Sequence, residues 1–122
     1  GGNPVAGVVA TEALAVVADE RLAQNARTLG ARFREAMQDL VDESPLLKGV
    51  RGRGLLNAVL INDTPESSTA WDLCVALKDN GLLAKPTHGN IIRFAPPLVM
   101  TADQLEACID IIANTVRTFK KA

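Results

Sequence analysis

The sequence predicts an α+β fold: a small, mostly antiparallel sheet of three to four strands, covered by helices on one face and preceded by a long interdomain helix. The predicted elements run helix, helix, one or two strands, helix, two strands, helix. Short strands placed between helices are typical of such a layered fold. A chain of 122 residues that is 48% hydrophobic can bury the core of one domain and hardly more.

The first 40 residues predict two consecutive helices. Residues 5–18 contain only Thr11 and Glu12 as polar side chains, and a helix that is apolar on nearly all sides must be surrounded by protein. We therefore expect one of its faces to contact a domain or subunit missing from this chain. Residues 19–40 repeat apolar positions every three or four residues, with Gly30 inside the stripe predicting a close packing contact. Polar residues away from the stripe are interpreted as a solvated face without chemistry: Arg27, Arg34, Glu35 and Gln38.

Residues 46–61 predict one strand or a strand pair that bends where its glycines allow. Ser44-Pro45 ends the preceding helix, because proline cannot continue it. Arg51 and Arg53 share one face of this extended segment. They are either anion ligands or exposed arginines at a sheet edge, and the pattern favours the second interpretation.

The second half of the chain predicts a helix at residues 68–80 and strands near residues 82–85 and 91–94. A final helix begins with a capping box, in which Thr101 and Gln104 satisfy backbone groups of the first turn.

Composition argues against several functional classes. Thirteen basic and 14 acidic residues give a net charge of −1, and aromatic residues make up only 3% with no tyrosine. Neither electrostatic attraction nor base stacking therefore favours a nucleic-acid partner. No apolar run approaches the roughly 20 residues needed to span a bilayer, and no targeting segment opens the chain. We expect no nucleic acid and no membrane as partners.

The reactive residue types offer little material for a self-contained active site. His88 is the only histidine and falls in a predicted turn, so no metal site is expected and the residue is interpreted as structural or peripheral. Cys74 and Cys108 occupy apolar helix positions and are interpreted as small buried side chains in a reducing compartment. Trp71, at helical spacing, is expected in the core rather than as a ligand platform.

Two features suggest anion binding. Arg93 lies among apolar residues of a predicted strand, and its permanent charge must reach water or an anion. Pattern alone favours a structural carboxylate as that anion, and the alternative is bidentate capture of a substrate carboxylate. The opening Gly1-Gly2-Asn3-Pro4 is either simple turn and cap chemistry or a phosphate-binding helix start, and the first interpretation is favoured.

Three segments carry a family resemblance: Arg93-Phe94-Ala95-Pro96-Pro97-Leu98 ahead of the capped helix, VRGRGLLNA at residues 50–58, and GLLAKPTHG at residues 81–89. The chain resembles the C-terminal small domain of class III pyridoxal-phosphate-dependent aminotransferases. Within that family it resembles the ornithine δ-aminotransferase branch more than the acetylornithine or 4-aminobutyrate branches. Residues 1–4 also resemble the start of the long helix that joins the large domain to the small one.

The resemblance implies that residues 1–18 are the interdomain helix and residues 19–122 the small domain of a homodimeric enzyme. Its substrates would be ornithine and 2-oxoglutarate, and its cofactor pyridoxal 5'-phosphate. Arg93 matches the family's arginine that binds a carboxylate of 2-oxoglutarate or glutamate, and a glutamate of the large domain would hold that arginine during the ornithine half-reaction. The Schiff-base lysine would lie in the large domain, so Lys85 is not that residue and the isolated chain is expected to be inactive.

The same resemblance places Gly1 and Gly2 near the cofactor phosphate of the partner subunit, with no other cofactor contact in this chain. Two alternatives remain open: another amine donor, such as acetylornithine or a different ω-amine, or a free-standing carboxylate-binding or interaction domain. The expected compartment is the cytoplasm, or the mitochondrial matrix in a eukaryote.

Overall fold

The structure is a computed structural model that describes residues 8–96 and 100–120, with side chains described from residue 20 onward. The elements are α1 (Val8–Glu43), β1 (Leu47–Arg53), β2 (Leu56–Ile61), α2 (Thr69–Asp79), β3 (Lys85–Thr87), β4 (Ile91–Phe94) and α3 (Ala102–Thr118). The strands form one sheet in the order β1-β2-β4-β3, and each neighbouring pair is antiparallel. The predicted α+β fold is thereby confirmed.

The first helix differs from the prediction in its continuity. The two helices expected before residue 40 form one helix, α1, of 36 residues. No proline or glycine lies near the expected junction at residues 18–19, so nothing interrupts the backbone hydrogen bonds there. The predicted apolar stripe is confirmed from residue 26 onward, whereas its first member, Leu22, is half-buried. The buried members are Ala26, Leu29, Phe33, Ala36, Met37 and Leu40. The predicted helix opening at residues 1–4 lies outside the described residues.

Alternation along the strands places one face of the sheet in the core. Val59, Ile92 and Phe94 are buried on that face, against α1 and α2, while α3 packs against both of these helices. The rings of Phe33 on α1 and Phe94 on β4 have centroids 5.4 Å apart with a 54° angle between planes. This aromatic contact packs β4 against α1. The residues of β4 that alternate with its buried residues face the opposite side of the sheet.

Two ion pairs join α1 to α3 across the surface. Arg32 donates from Nε and Nη2 to the two carboxylate oxygens of Glu106, at 2.8 and 2.9 Å. Arg117 donates similarly to Glu43, at 2.8 and 3.1 Å. The hydrogen bonds from these guanidinium groups lower the pKa of each carboxyl group. Because the pairs are solvent-exposed, they orient α3 more than they stabilise the fold.

The start of α3 follows the predicted capping box. The Thr101 N–H donates to Gln104 Oε1 at 2.9 Å, and the Gln104 N–H donates to Thr101 Oγ1 at 3.1 Å. Two backbone donors that the helix leaves unpaired are thus satisfied by side chains.

The strand expected near residues 82–85 begins only at Lys85. Gly81, with φ of 97°, ends α2, and the Leu82 N–H donates to the Leu77 carbonyl at 2.8 Å. This bond keeps Leu82 against the last turn of α2, so the ladder to β4 starts at Lys85. Pro86 then lies in an edge strand, where proline is tolerated.

The prediction that Trp71 belongs to the core is wrong. Trp71 is 62% exposed, whereas α2 buries Leu73 and Leu77 on its opposite side. Two residues correspond to a rotation of about 200° around a helix, so Trp71 and Leu73 face opposite ways. Val75, four residues after Trp71, shares its exposed side.

Candidate functional site

The sheet face that points away from the helices carries a row of basic side chains. The register places Arg51 opposite Ala58, Ala58 opposite Arg93, and Arg93 opposite Lys85, so these four residues cross all four strands. Arg51, Arg93 and Lys85 are all exposed. The small side chain of Ala58 leaves space between Arg51 and Arg93. We call Arg51, Arg93 and Lys85 the basic row.

The basic row has no acidic counterpart on the sheet. None of the 14 acidic residues of the chain lies in a strand, whereas five basic residues do: Lys48, Arg51, Arg53, Lys85 and Arg93. Within residues 20–96 and 100–120, no carboxylate forms an ion pair with Arg93. The structural carboxylate that the sequence pattern favoured as its partner is therefore not found in the described part of the chain.

Packing on the opposite side of the sheet fixes the position of Arg93. Its neighbours Ile92 and Phe94 are buried, and β4 is hydrogen-bonded on both sides, to β2 and β3. A guanidinium on a central strand starts from a rigid backbone, so only the freedom of its own side chain is lost when it binds a planar anion. The arrangement suits recognition of a carboxylate, and Arg51 and Arg53 lie as predicted at the exposed edge formed by β1.

Hydrogen bonds join the turn between β1 and β2 to α1. Arg34 Nη1 donates to the Gly54 carbonyl at 3.0 Å and to Asn57 Oδ1 at 2.8 Å, and Asn57 Nδ2 donates to the same carbonyl at 3.1 Å. The predicted close contact at Gly30 is confirmed, because a Cβ there would lie 1.9 Å from the Gly54 oxygen. The interpretation of Arg34 as part of a solvated face is wrong: it is half-buried and holds the hairpin that carries Arg51.

The turn between β3 and β4 depends on Asn90, a residue that the sequence analysis missed. Asn90 is buried with φ of 60°, and its Oδ1 accepts from the Ala70 N–H at 2.9 Å, at the start of α2. Its Nδ2 donates to Ser67 Oγ at 2.6 Å and also to the Thr64 carbonyl. Asparagine tolerates the left-handed conformation, so the Gly89-Asn90 pair was the available signal for this turn. His88 is exposed in the same turn, as its predicted loop position required.

The two thiols lie on the helical side of the sheet. Cys74 is buried, Cys108 is half-buried, and both are free. Burial raises the pKa of Cys74 to about 11 and also raises that of Cys108. Both therefore remain protonated near neutral pH and behave as apolar side chains.

The described residues do not form a site for pyridoxal phosphate. A Schiff-base lysine must be enclosed with the cofactor, and the lysines that the structure describes are all exposed: Lys48, Lys78, Lys85 and Lys120. Gly1 and Gly2, the residues expected near a cofactor phosphate, lie outside the described residues. No helix in the described part of the chain is both long and apolar enough to cross a bilayer.

Comparison with known proteins defines the class. The sequence model of the class-III aminotransferase family matches residues 1–116. The chain therefore belongs to the class-III aminotransferase family. The sequence is 49% identical over 117 residues to an ornithine aminotransferase of Schizosaccharomyces pombe, covering 95% of this chain and 26% of that protein. It is 47% identical over 119 residues to the mitochondrial ornithine aminotransferase of Rattus norvegicus, covering 98% of this chain and 26% of that protein.

Solved structures give the same class. The chain is similar to an acetylornithine aminotransferase from Elizabethkingia anophelis, with 60% identity, a TM-score of 0.82 and coverage of 98% of this chain and 31% of that one. It is also similar to an ornithine aminotransferase from Plasmodium yoelii, with 39% identity, a TM-score of 0.76 and coverage of 98% and 32%. The chain thus spans about a quarter of the length of the curated relatives named above.

Proposed function

We propose that this chain is the C-terminal part of an ornithine aminotransferase, which transfers the δ-amino group of ornithine to 2-oxoglutarate to give glutamate semialdehyde and glutamate. The identity of 47–49% to curated ornithine aminotransferases supports this proposal. The structural observation that carries it is Arg93, an exposed arginine on a central strand with no carboxylate partner among the described residues.

Arg93 would bind a carboxylate of the oxo acid or of glutamate through a bidentate contact. The guanidinium stays charged at any physiological pH, and its planar fork matches both oxygens of a carboxylate. Fixing one end of the acceptor orients its carbonyl carbon toward the reacting centre, which lowers the entropic cost of the reaction. Pyridoxal phosphate would supply the electron sink, held by residues of the large domain. A large-domain glutamate would hold Arg93 while ornithine reacts.

The domain assignment follows from the same proposal. Residues 1–18 would be the interdomain helix, and residues 19–122 the small domain of one subunit of a homodimer. Gly1 and Gly2 would approach the cofactor phosphate of the partner subunit. The 122 residues alone would be inactive, and the enzyme would work in the cytoplasm or the mitochondrial matrix.

A second candidate keeps the reaction and changes the donor. The structure that is 60% identical to this chain is described as an acetylornithine aminotransferase, which favours acetylornithine as the alternative. The two donors differ in charge, because acetylation removes the positive charge of the α-amino group. Initial rates of the longer protein with each donor, at equal concentrations of 2-oxoglutarate, decide between them.

The role of Arg93 is tested by replacing it with alanine in the longer aminotransferase and measuring both half-reactions in single turnovers. We expect the 2-oxoglutarate half-reaction to lose about 2–5 kcal/mol of transition-state stabilisation, as for a close charge pair that loses one partner. The ornithine half-reaction should change far less. Arg27→Ala, at an exposed position on α1, is the matched control. Small, equal effects of Arg93→Ala on both half-reactions would refute the assignment.

A further inference from the structure

Lys85 is the residue directly opposite Arg93 on the neighbouring strand. The antiparallel register of β3 and β4 pairs the two residues, and both are exposed. Residues paired in this way have Cβ atoms about 5 Å apart on the same face of the sheet. The ammonium group of Lys85 therefore begins within side-chain reach of any anion that lies on the guanidinium of Arg93.

Two positive charges in direct cross-strand pairing repel each other, which destabilises a sheet unless an anion lies between them. Within residues 20–96 and 100–120, neither Lys85 nor Arg93 forms an ion pair, and no strand contains an acidic residue. No carboxylate among the described residues therefore offsets this repulsion. An anion bound from outside would replace it with two attractive contacts.

Arg51, the remaining member of the basic row, is less suited to sharing that anion. Arg51 lies two strands from Arg93, which corresponds to about 10 Å between the backbones. Ala58, in the strand between them, carries no charge. Lys85 combines the adjacent position with a flexible four-carbon side chain and a compact charge, so it can approach a carboxylate that the rigid fork of Arg93 has already oriented.

We propose that Lys85 is a specificity-determining residue of the acceptor site, where its ammonium group and Arg93 share one carboxylate. This proposal rests on the proposed aminotransferase function. The acceptor 2-oxoglutarate is a dianion, whereas ornithine carries a net positive charge, so the added charge at residue 85 attracts the acceptor and does not attract the donor. Lys85 thereby makes the small domain favour the oxo-acid half-reaction.

The test compares Lys85→Met, Lys85→Arg and Lys78→Met in the longer aminotransferase. Lys85→Met keeps the length of the side chain without its charge, and Lys78→Met is a matched control at an exposed position of α2, outside the sheet. We expect Lys85→Met to raise the KM for 2-oxoglutarate about fivefold to tenfold with little change in kcat, as for a partly solvated contact made equally in ground and transition states. Lys85→Arg should restore most of the affinity, and the KM for ornithine should change less than about twofold in every variant.

The outcomes separate this inference from the proposed function. If the wild-type protein shows no transamination between ornithine or acetylornithine and 2-oxoglutarate, the proposed function fails and Lys85 loses its assigned role. If the wild type is active but Lys85→Met matches Lys78→Met in its KM for 2-oxoglutarate, only the Lys85 proposal is overturned. A Lys85 that pairs with a protein carboxylate instead of the substrate would change both half-reactions alike, and that result also overturns it.

Discussion

Gly30→Ala tests how closely α1 approaches the β1–β2 turn. A Cβ at residue 30 would lie 1.9 Å from the carbonyl oxygen of Gly54 and 2.6 Å from its carbonyl carbon. Both distances are far shorter than a van der Waals contact, and both atoms belong to the backbone. The turn or the helix must therefore move to accept a single methyl group.

Two opposing effects set the size of the change. Alanine favours a helix interior over glycine by about 1 kcal/mol. Overpacking costs about 1–3 kcal/mol, and displacing the turn weakens the hydrogen bonds from Arg34 to Gly54 and Asn57, which are worth about 1.5–3 kcal/mol each for a charged donor. We expect the free energy of unfolding to fall by about 2–3 kcal/mol, opposite in sign to the effect of helix propensity alone.

Urea titration of the chain, followed by circular dichroism, measures this change. Gly49→Ala is the control, because a Cβ at residue 49 meets no atom within 4 Å and its φ is not positive. That substitution should change the free energy of unfolding by less than about 1 kcal/mol. If Gly30→Ala proves as stable as the wild type, the close contact between α1 and the turn is refuted.

Two further predictions concern the buried polar atoms. Asn90→Ala should lower the free energy of unfolding by about 3 kcal/mol, because it leaves the buried Ala70 N–H unpaired and also removes the hydrogen bonds from Nδ2. Asn90→Gly, which tolerates the positive φ, should recover only about 1 kcal/mol of that loss in the same urea assay. Burial raises the pKa of Cys74 to about 11, so the contribution of this thiol to stability is complete below the unfolded pKa of about 8.5 and declines as the pH rises through 11. Iodoacetamide at about pH 8 should accordingly label the half-buried Cys108 before Cys74, as read by mass spectrometry, and equal labelling of the native chain would contradict the burial of Cys74.

Local patterns in the sequence predicted much of the fold. The stripe on α1, the capping box of α3 and the close contact at Gly30 follow from periodicity and backbone chemistry within a few residues of one another. The burial of α2 was harder to predict, since apolar residues lie on both of its sides. Whether Trp71 or Leu73 is buried depends on which side meets the sheet, and that is decided by distant parts of the chain.

The candidate site was likewise predictable from the sequence only in part. Arg93 was identifiable because a permanent charge among apolar neighbours is unusual in a strand. Its pairing with Lys85 depends on register, and a shift of one residue would have moved Lys85 to the other face of the sheet. The hydrogen bonds of Arg34 and Asn90 connect residues 20 or more positions apart, and no local pattern indicates such contacts.

The absence of acidic residues from the strands has a consequence for how the domain meets other molecules. The net charge of −1 is a sum over two unlike parts of the chain: the strands carry five of the 13 basic residues and no acidic residue, while every acidic residue belongs to a helix or a loop. The domain therefore carries an electric dipole directed across the sheet, although its net charge is close to zero. An approaching anion is turned toward the open sheet before it makes any contact, and this orientation weakens as added salt screens the field.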